Sequence, residues 1–224
     1  MAEAQAVVVG AGPGLSASLA RRLAARGLGL TLAARDTSDL GTLAAETGAR
    51  LVDMDARDPA AMAALFAALP GPLALAAYNP SARQRAPLVE LDPEAVRQAL
   101  EVTAFGAFLM GREAAWLMLG NPGPHRGTIL FTGASAGVKG FARSAPFAMG
   151  KFAQRGLAQS MARELHPEGI HVAWVNIDGA IGDREEAPDR LNPDSIADAY
   201  LWLHDQPLST WTDELTLRPM AEGF

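Results

Sequence analysis

The sequence predicts an α/β fold, a doubly wound parallel sheet of about seven strands with helices on both faces. Three observations lead there. Short β-type runs alternate with helical patterns from end to end, at residues 6–10, 28–34, 50–55, 73–78, 127–132, 169–177 and 214–217. The runs are almost wholly apolar, as in Val7-Val8-Val9 and Thr31-Leu32-Ala33-Ala34, which suits strands covered on both faces. Helical segments between such strands make right-handed crossovers, and these build an open parallel sheet.

Each element carries its own signal. Leu15, Leu19 and Leu23 stand at helical spacing, and Gly27 follows where a left-handed residue ends a helix. Asp58-Pro59, Asp92-Pro93 and Asn192-Pro193 each put an N-cap acceptor before a proline already set for the first helical turn. Residues 104–120 are strongly apolar but broken by Arg112 and Glu113, so they read as a buried helix and not a membrane span. Residues 182–192, polar and containing Pro188, read as the loosest segment. No repeat and no shift in composition marks a boundary, so residues 1–224 read as a single domain.

Composition narrows the function classes. The chain has no cysteine, which removes disulfides, thiolate catalysis and cysteine-ligated metals. A net charge of −6 without a basic run argues against nucleic acid as a partner. The first ten residues carry Glu3 and no positive region, so they do not read as a secretory signal, and a cytoplasmic protein is expected. His125, His166, His171 and His204 are spread over the chain without metal-ligand spacing, so no metal site is expected. Two lysines, Lys139 and Lys151, and two tyrosines, Tyr78 and Tyr200, leave few places for chemistry that needs either.

The first strand runs into Gly10-Ala11-Gly12-Pro13-Gly14-Leu15-Ser16 and then directly into a helix. Glycines there let the backbone turn sharply and approach a pyrophosphate, whose charge the helix N-terminus favours. That context predicts a Rossmann-type dinucleotide site holding Gly10, Gly12, Pro13, Gly14 and Leu15. Arg35 at the end of the second strand suits a 2′-phosphate, with Thr37 and Ser38 as hydroxyl donors beside it. NADP is therefore expected over NAD, which Asp36 keeps open.

From this point the chain resembles the short-chain dehydrogenase/reductase family over nearly its whole length. The family's TGxxxGxG appears with Gly10 and Gly14 in place and Ser16 at the third glycine. Asp55, with Ala56 beside it, resembles the adenine-contacting position, and Asn79 in Tyr78-Asn79-Pro80-Ser81 matches the family's NNAG. Residues 169–181 resemble the sixth strand and its PG turn, with Asp178 replacing proline, and this assigns Gly179 and Ile181 to the cofactor. Asp183 falls where the family often has a carboxamide-contacting threonine.

The family's YxxxK motif falls on Phe147 and Lys151. The resemblance gives Lys151 the nicotinamide-ribose hydroxyls, while Phe147 keeps the tyrosine's packing and has no proton to give. The family serine, thirteen residues earlier, falls on Ala134 with Ser135 next to it, and the helix asparagine falls on Thr103. Ser135 and Thr132 read either as site hydroxyls or as plain turn residues. A Lys151 with a lowered pKa is another candidate proton donor, as are Tyr78 and Asp178, whose plainer readings are a packed ring and an Asx-turn residue. The resemblance thus implies an NADP-dependent oxidoreductase for a small carbonyl or alcohol substrate with a non-standard proton donor. The alternative is a catalytically silent NAD(P)-binding relative, a sensor or an inactive partner subunit. Family members pair through two long helices, here rich in Leu109, Met110, Trp116, Leu117 and Met118 on one and Leu157, Met161 and Leu165 on the other. A homodimer or homotetramer is therefore expected, with no membrane contact.

Overall fold

The structure, a computed structural model, describes residues 3–182 and 188–222. The strands are β1 (Gln5–Val9), β2 (Gly29–Ala34), β3 (Arg50–Asp53), β4 (Leu73–Tyr78), β5 (Gly127–Thr132), β6 (Ile170–Ile177), β7 (Ala180–Ile181), β8 (Arg190–Leu191) and β9 (Glu214–Leu217). The helices are α1 (Leu15–Ala25), α2 (Gly41–Thr47), α3 (Pro59–Ala67), α4 (Pro93–Leu100), α5 (Gly106–Leu119), α6 (Ala145–Leu165) and α7 (Pro193–His204). Seven strands form one sheet in the order β3-β2-β1-β4-β5-β6-β9, every pair parallel. The expected doubly wound sheet is therefore present.

Alternation within the buried strands shows why they are apolar throughout. Val7 and Val9 of β1, with Ile170, Val172 and Trp174 of β6, face the core under α3, α5 and α6. Ala6 and Val8, with Ala173, Val175 and Ile177, face the opposite core under α1 and α7. Both faces of the strand are dry, so neither carries a polar alternation.

Local chemistry sets the helix ends as expected. Asp58, Asp92 and Asn192 each accept backbone N–H bonds from the first turn behind a proline. Gly27 has φ 74° and follows the last turn of α1. Helix α4 does not stop at Leu100, because a π-helical segment, Glu101–Phe105, carries it into α5. By length and composition the run Pro93–Leu119 is long and apolar enough to cross a membrane. Its Ala107, Met110, Ala114 and Met118 are instead fully buried against the sheet.

Part of the segment expected to be loosest is ordered: Arg190–Leu191 pairs in parallel with Ala180–Ile181. Asp183, which stands where the family often has a carboxamide-contacting threonine, lies outside the described residues. At the amino ends of the strands the four histidines, which look scattered in sequence, converge on Trp211. His171 stacks on its indole at 4.9 Å and 5°, with His166 at 5.2 Å and His125 at 5.6 Å from the same ring. His204 lies 5.6 Å from His125. Among the described residues no such cluster has metal-binding geometry.

Candidate active site

After β1 the chain moves outward to β2 and β3, then returns across β1 to β4. This reversal opens a crevice at the carboxyl ends of β1 and β4, where open α/β sheets bind ligands. A cleft of about 1110 Å³ lies there, lined by Gly12, Gly14, Leu15, Asn79, Thr132 and Ile177 among others.

Gly10 has φ 81°, and a Cβ there would stand 2.6 Å from Pro80 Cδ, so the turn admits only glycine. Gly12 and Gly14 differ: a Cβ on either would meet nothing within 4 Å. That open backbone at the start of α1 fits a dinucleotide pyrophosphate. Ser16, at the third glycine position, is buried and donates from Oγ to Gly10 O at 3.0 Å. Its Oγ accepts from Asn79 Nδ2 at 2.7 Å, and Asn79 Oδ1 accepts from Thr132 Oγ1. With its one proton so used, Thr132 Oγ1 accepts from Tyr200 OH at 2.7 Å. One hydrogen-bonded chain thus joins α7, β5, β4 and the glycine turn.

Lys151 forms the floor of the cleft. It is 2 % exposed, and its Nζ donates to Thr132 O at 2.5 Å and to Gln154 Oε1 at 3.2 Å. Burial, helped by the charge of Arg83, pushes its pKa down to about 7. Gln154 Nε2 donates to Thr103 O at 3.3 Å, a carbonyl in the π segment. Thr103 Oγ1 accepts from Ala82 N at 3.1 Å, tying the segment after Asn79 to this helix.

Phe147 lies one turn before Lys151, and both line the cleft. Over the phenyl face lies the guanidinium of Arg83, 4.4 Å from the ring centroid. Burial and the nearby charge of Arg85 hold Arg83 below the usual arginine value. Ala134 and Ser135 also line the cleft. Asp178 is buried and accepts from Arg218 Nε at 2.8 Å, and the nearby Ser135 hydroxyl favours its charged form. Burial opposes the Asp178 charge, but Ser135 and Arg218 outweigh it and keep the carboxyl below its ordinary range. Asp178 is therefore ionised at neutral pH and is no proton donor. Neither tyrosine is one: Tyr78 is buried and donates to Val102 O, and burial raises both phenols.

Just after β2, Arg35 is exposed. Thr37, expected as a free donor, instead gives its Oγ1 proton to Asp53 at 2.7 Å. Asp36 accepts from Ser38 N at 2.9 Å as a local turn. Asp55 is held below its usual pKa chiefly by its hydrogen bond from Arg57, 2.6 Å away.

The cleft thus gathers Gly12, Gly14, Leu15, Asn79, Ser135, Phe147, Lys151, Gly179 and Ile181. Gly10 and Pro13 belong to the adjoining turn, while Arg35, Asp55 and Ala56 lie outside the cleft lining. Sequence reasoning missed Arg83, Arg85 and Arg143, which line it, and Tyr200, which braces it from behind. No local signal marks them, since loop arginines are ordinarily solvated.

A parallel sheet with an open glycine turn at its switch point defines a dinucleotide-binding α/β protein. Residues 4–181 match the family model described as short chain dehydrogenase, and the chain belongs to that family. It is 32% identical over 182 residues to a cis-4-hydroxycyclohexanecarboxylate dehydrogenase of Sinomonas cyclohexanicum, covering 78% of this chain and 72% of the relative. It is 29% identical over 188 residues to an L-2,3-butanediol dehydrogenase of Corynebacterium glutamicum, covering 79% and 71%. Among solved structures, a short-chain dehydrogenase from Rhodopseudomonas palustris matches with TM-score 0.85 and 36% identity, over 98% of this chain and all of that one. A metagenomic short-chain oxidoreductase in complex with NADP matches with TM-score 0.84 and 26% identity, over 97% of each chain.

Proposed function

We propose that this chain is an NADP-linked oxidoreductase acting on a small carbonyl or alcohol, with a proton donor other than tyrosine. Lys151 carries the reading. A buried amine at the floor of a switch-point cleft, one turn from Phe147, has no structural need to be charged there. Gly10, Gly12, Pro13, Gly14 and Leu15 would hold the pyrophosphate, Arg35 the 2′-phosphate, and Asp55 with Ala56 the adenine. Gly179, Ile181 and Lys151 would hold the nicotinamide half, with Asn79 fixing the glycine turn. A bound nicotinamide supplies or takes the hydride.

The protein's own part is position and protons. Two of the three Lys151 donors are used by Thr132 O and Gln154 Oε1, which leaves one for the cleft. A pKa of about 7 suits that group to give or take a proton at neutral pH. With its proton turned to ionised Asp178, the Ser135 hydroxyl oxygen is left to accept from a substrate hydroxyl. The relatives' names, a hydroxycyclohexanecarboxylate and a butanediol dehydrogenase, favour a small hydroxyl- or carbonyl-bearing substrate. We read the chain as one cytoplasmic domain, paired as a homodimer or homotetramer through α5 and α6. Leu109, Met110, Met118 and Leu165 are buried in the core, but Phe105, Phe108, Trp116 and Phe152 stand exposed for such a contact.

The test is a titration of tryptophan fluorescence with NADPH and NADH, followed by turnover on a carbonyl panel. Saturable binding, tighter for NADPH, with measurable turnover is expected. Binding of neither nucleotide overturns the proposal.

A silent nucleotide-binding protein is the second reading, favoured by the proton-free Phe147 and by two tyrosine hydroxyls engaged elsewhere. It requires NADPH binding with no turnover, and turnover appearing in the Phe147→Tyr/Ala134→Ser variant. Activity in the wild-type protein excludes it.

A further inference from the structure

The described lining of the cleft holds Arg83, Arg85, Arg143 and Lys151 against one carboxylate, Glu222. The whole chain carries six net negative charges, so this excess of cations is local. Nine other arginines are ion-paired with carboxylates, among them Arg22 with Asp194 and Asp198, Arg26 with Asp205 and Arg155 with Glu214. Among the described residues, Arg83, Arg85 and Arg143 have no such partner.

Arg83 is the informative one. Its guanidinium lies over the ring of Phe147, the residue at the family's tyrosine position, and the segment that carries it is anchored through Ala82 N to Thr103. Among the described residues its N–H donors meet no acceptor, which leaves a fork that matches a carboxylate. Burial and the adjacent Arg85 both disfavour its charge, and among the described residues no carboxylate pairs with it to offset that cost. Arg143 reaches the same cleft from the loop ahead of α6, with φ 61°, the one left-handed non-glycine backbone among the described residues. Side chains forced into that region concentrate where ligands are gripped.

We propose that the substrate of this cleft bears a carboxylate, held by Arg83 and Arg143 with Arg85 adding to the field. This rests on the oxidoreductase reading and names its substrate class. The phenyl ring of Phe147 serves as the platform that aims Arg83, which gives the residue a task unrelated to proton transfer.

The experiment uses protein saturated with NADP, so that cofactor phosphates are already satisfied. Dissociation constants are measured by calorimetry for a panel of five- to seven-carbon oxo-carboxylates, each beside its carboxamide. At least one carboxylate should bind tenfold or more tightly than its amide, and added salt should weaken it selectively. In the Arg83→Gln/Arg143→Gln variant that preference should disappear while NADPH still binds. Equal affinity within every pair, no binding by any panel member, or a preference that survives in the variant overturns the proposal. If NADPH fails to bind but the protein alone still prefers carboxylates, the oxidoreductase reading falls and the anion site stands.

Discussion

Asn79 Nδ2 donates to Ser16 Oγ over 2.7 Å, linking the end of β4 to the first turn of α1. The family resemblance makes Ser16 a small substitute for glycine, but its hydroxyl has work of its own. It donates to Gly10 O, while Asn79 Oδ1 takes the proton of Thr132. Replacing Asn79 by Ala leaves two largely buried hydroxyls short of a partner, a loss of about 1–3 kcal/mol. Urea unfolding should show that loss with an unchanged slope. NADPH should bind more weakly in the same variant, because the turn that receives the pyrophosphate loses its brace.

Lys151 makes stability rise with pH. Its folded pKa of about 7 lies below the ordinary value near 10.5, so between those values the unfolded chain binds the extra proton. Stability is therefore lowest below pH 7 and grows through the window from 7 to 10.5, by at most about 1.4 kcal/mol per pH unit. Lys151→Met, similar in length and uncharged, should flatten the curve measured by denaturant unfolding at pH 7, 8 and 9. Carbonyl reduction that draws its proton from Lys151 should fall above pH 7 in kcat/KM.

What could be read from sequence was what neighbours along the chain decide. Apolar runs became strands because both faces are covered, and Asp58, Asp92 and Asn192 capped helices through groups two and three residues away. Phe147 and Lys151 share a face because they are one turn apart. The rest depends on contacts between distant residues. Tyr200 meets Thr132 across 68 positions, Arg83 covers a ring 64 residues on, and four histidines meet only where five chain segments close together. The π segment at Thr103 was also hidden, since its sequence is ordinary helix.

Arg35 should decide between the two nicotinamide dinucleotides. It is exposed beside the turn, and neither Asp36 nor Thr37 is free to replace it. A charge-assisted hydrogen bond to a 2′-phosphate is worth about 1.5–3 kcal/mol, or roughly 10- to 150-fold in affinity. Arg35→Ala should weaken NADPH by that order and leave NADH nearly unchanged in the fluorescence titration. An equal loss for both would mean that Arg35 supports the turn and does not read the phosphate.

The histidines around Trp211 set the acid limit of the fold. Burial lowers His125 and His171, and burial with the charge of His125 brings His204 down to about 4. His171 donates from Nε2 to Thr212 O at 2.9 Å and keeps Nδ1 buried without a partner. His204 Nδ1 meets Thr128 Oγ1 at 2.8 Å in the start of β5. All three are favoured neutral in the fold, whereas in the unfolded chain they protonate near 6.5. Their contribution is complete above pH 6.5 and is lost as pH falls below it, for His204 down to about 4, by up to about 1.4 kcal/mol per pH unit for a single ring. Ion-paired carboxylates such as Glu94, held near 2 by Arg97, respond only at lower pH, so the interval from 6.5 to 5 belongs to the histidines. Unfolding free energies should therefore fall steeply across that interval, and His204→Gln, which removes one titrating ring, should reduce the slope. An unchanged slope would place the acid sensitivity outside this cluster.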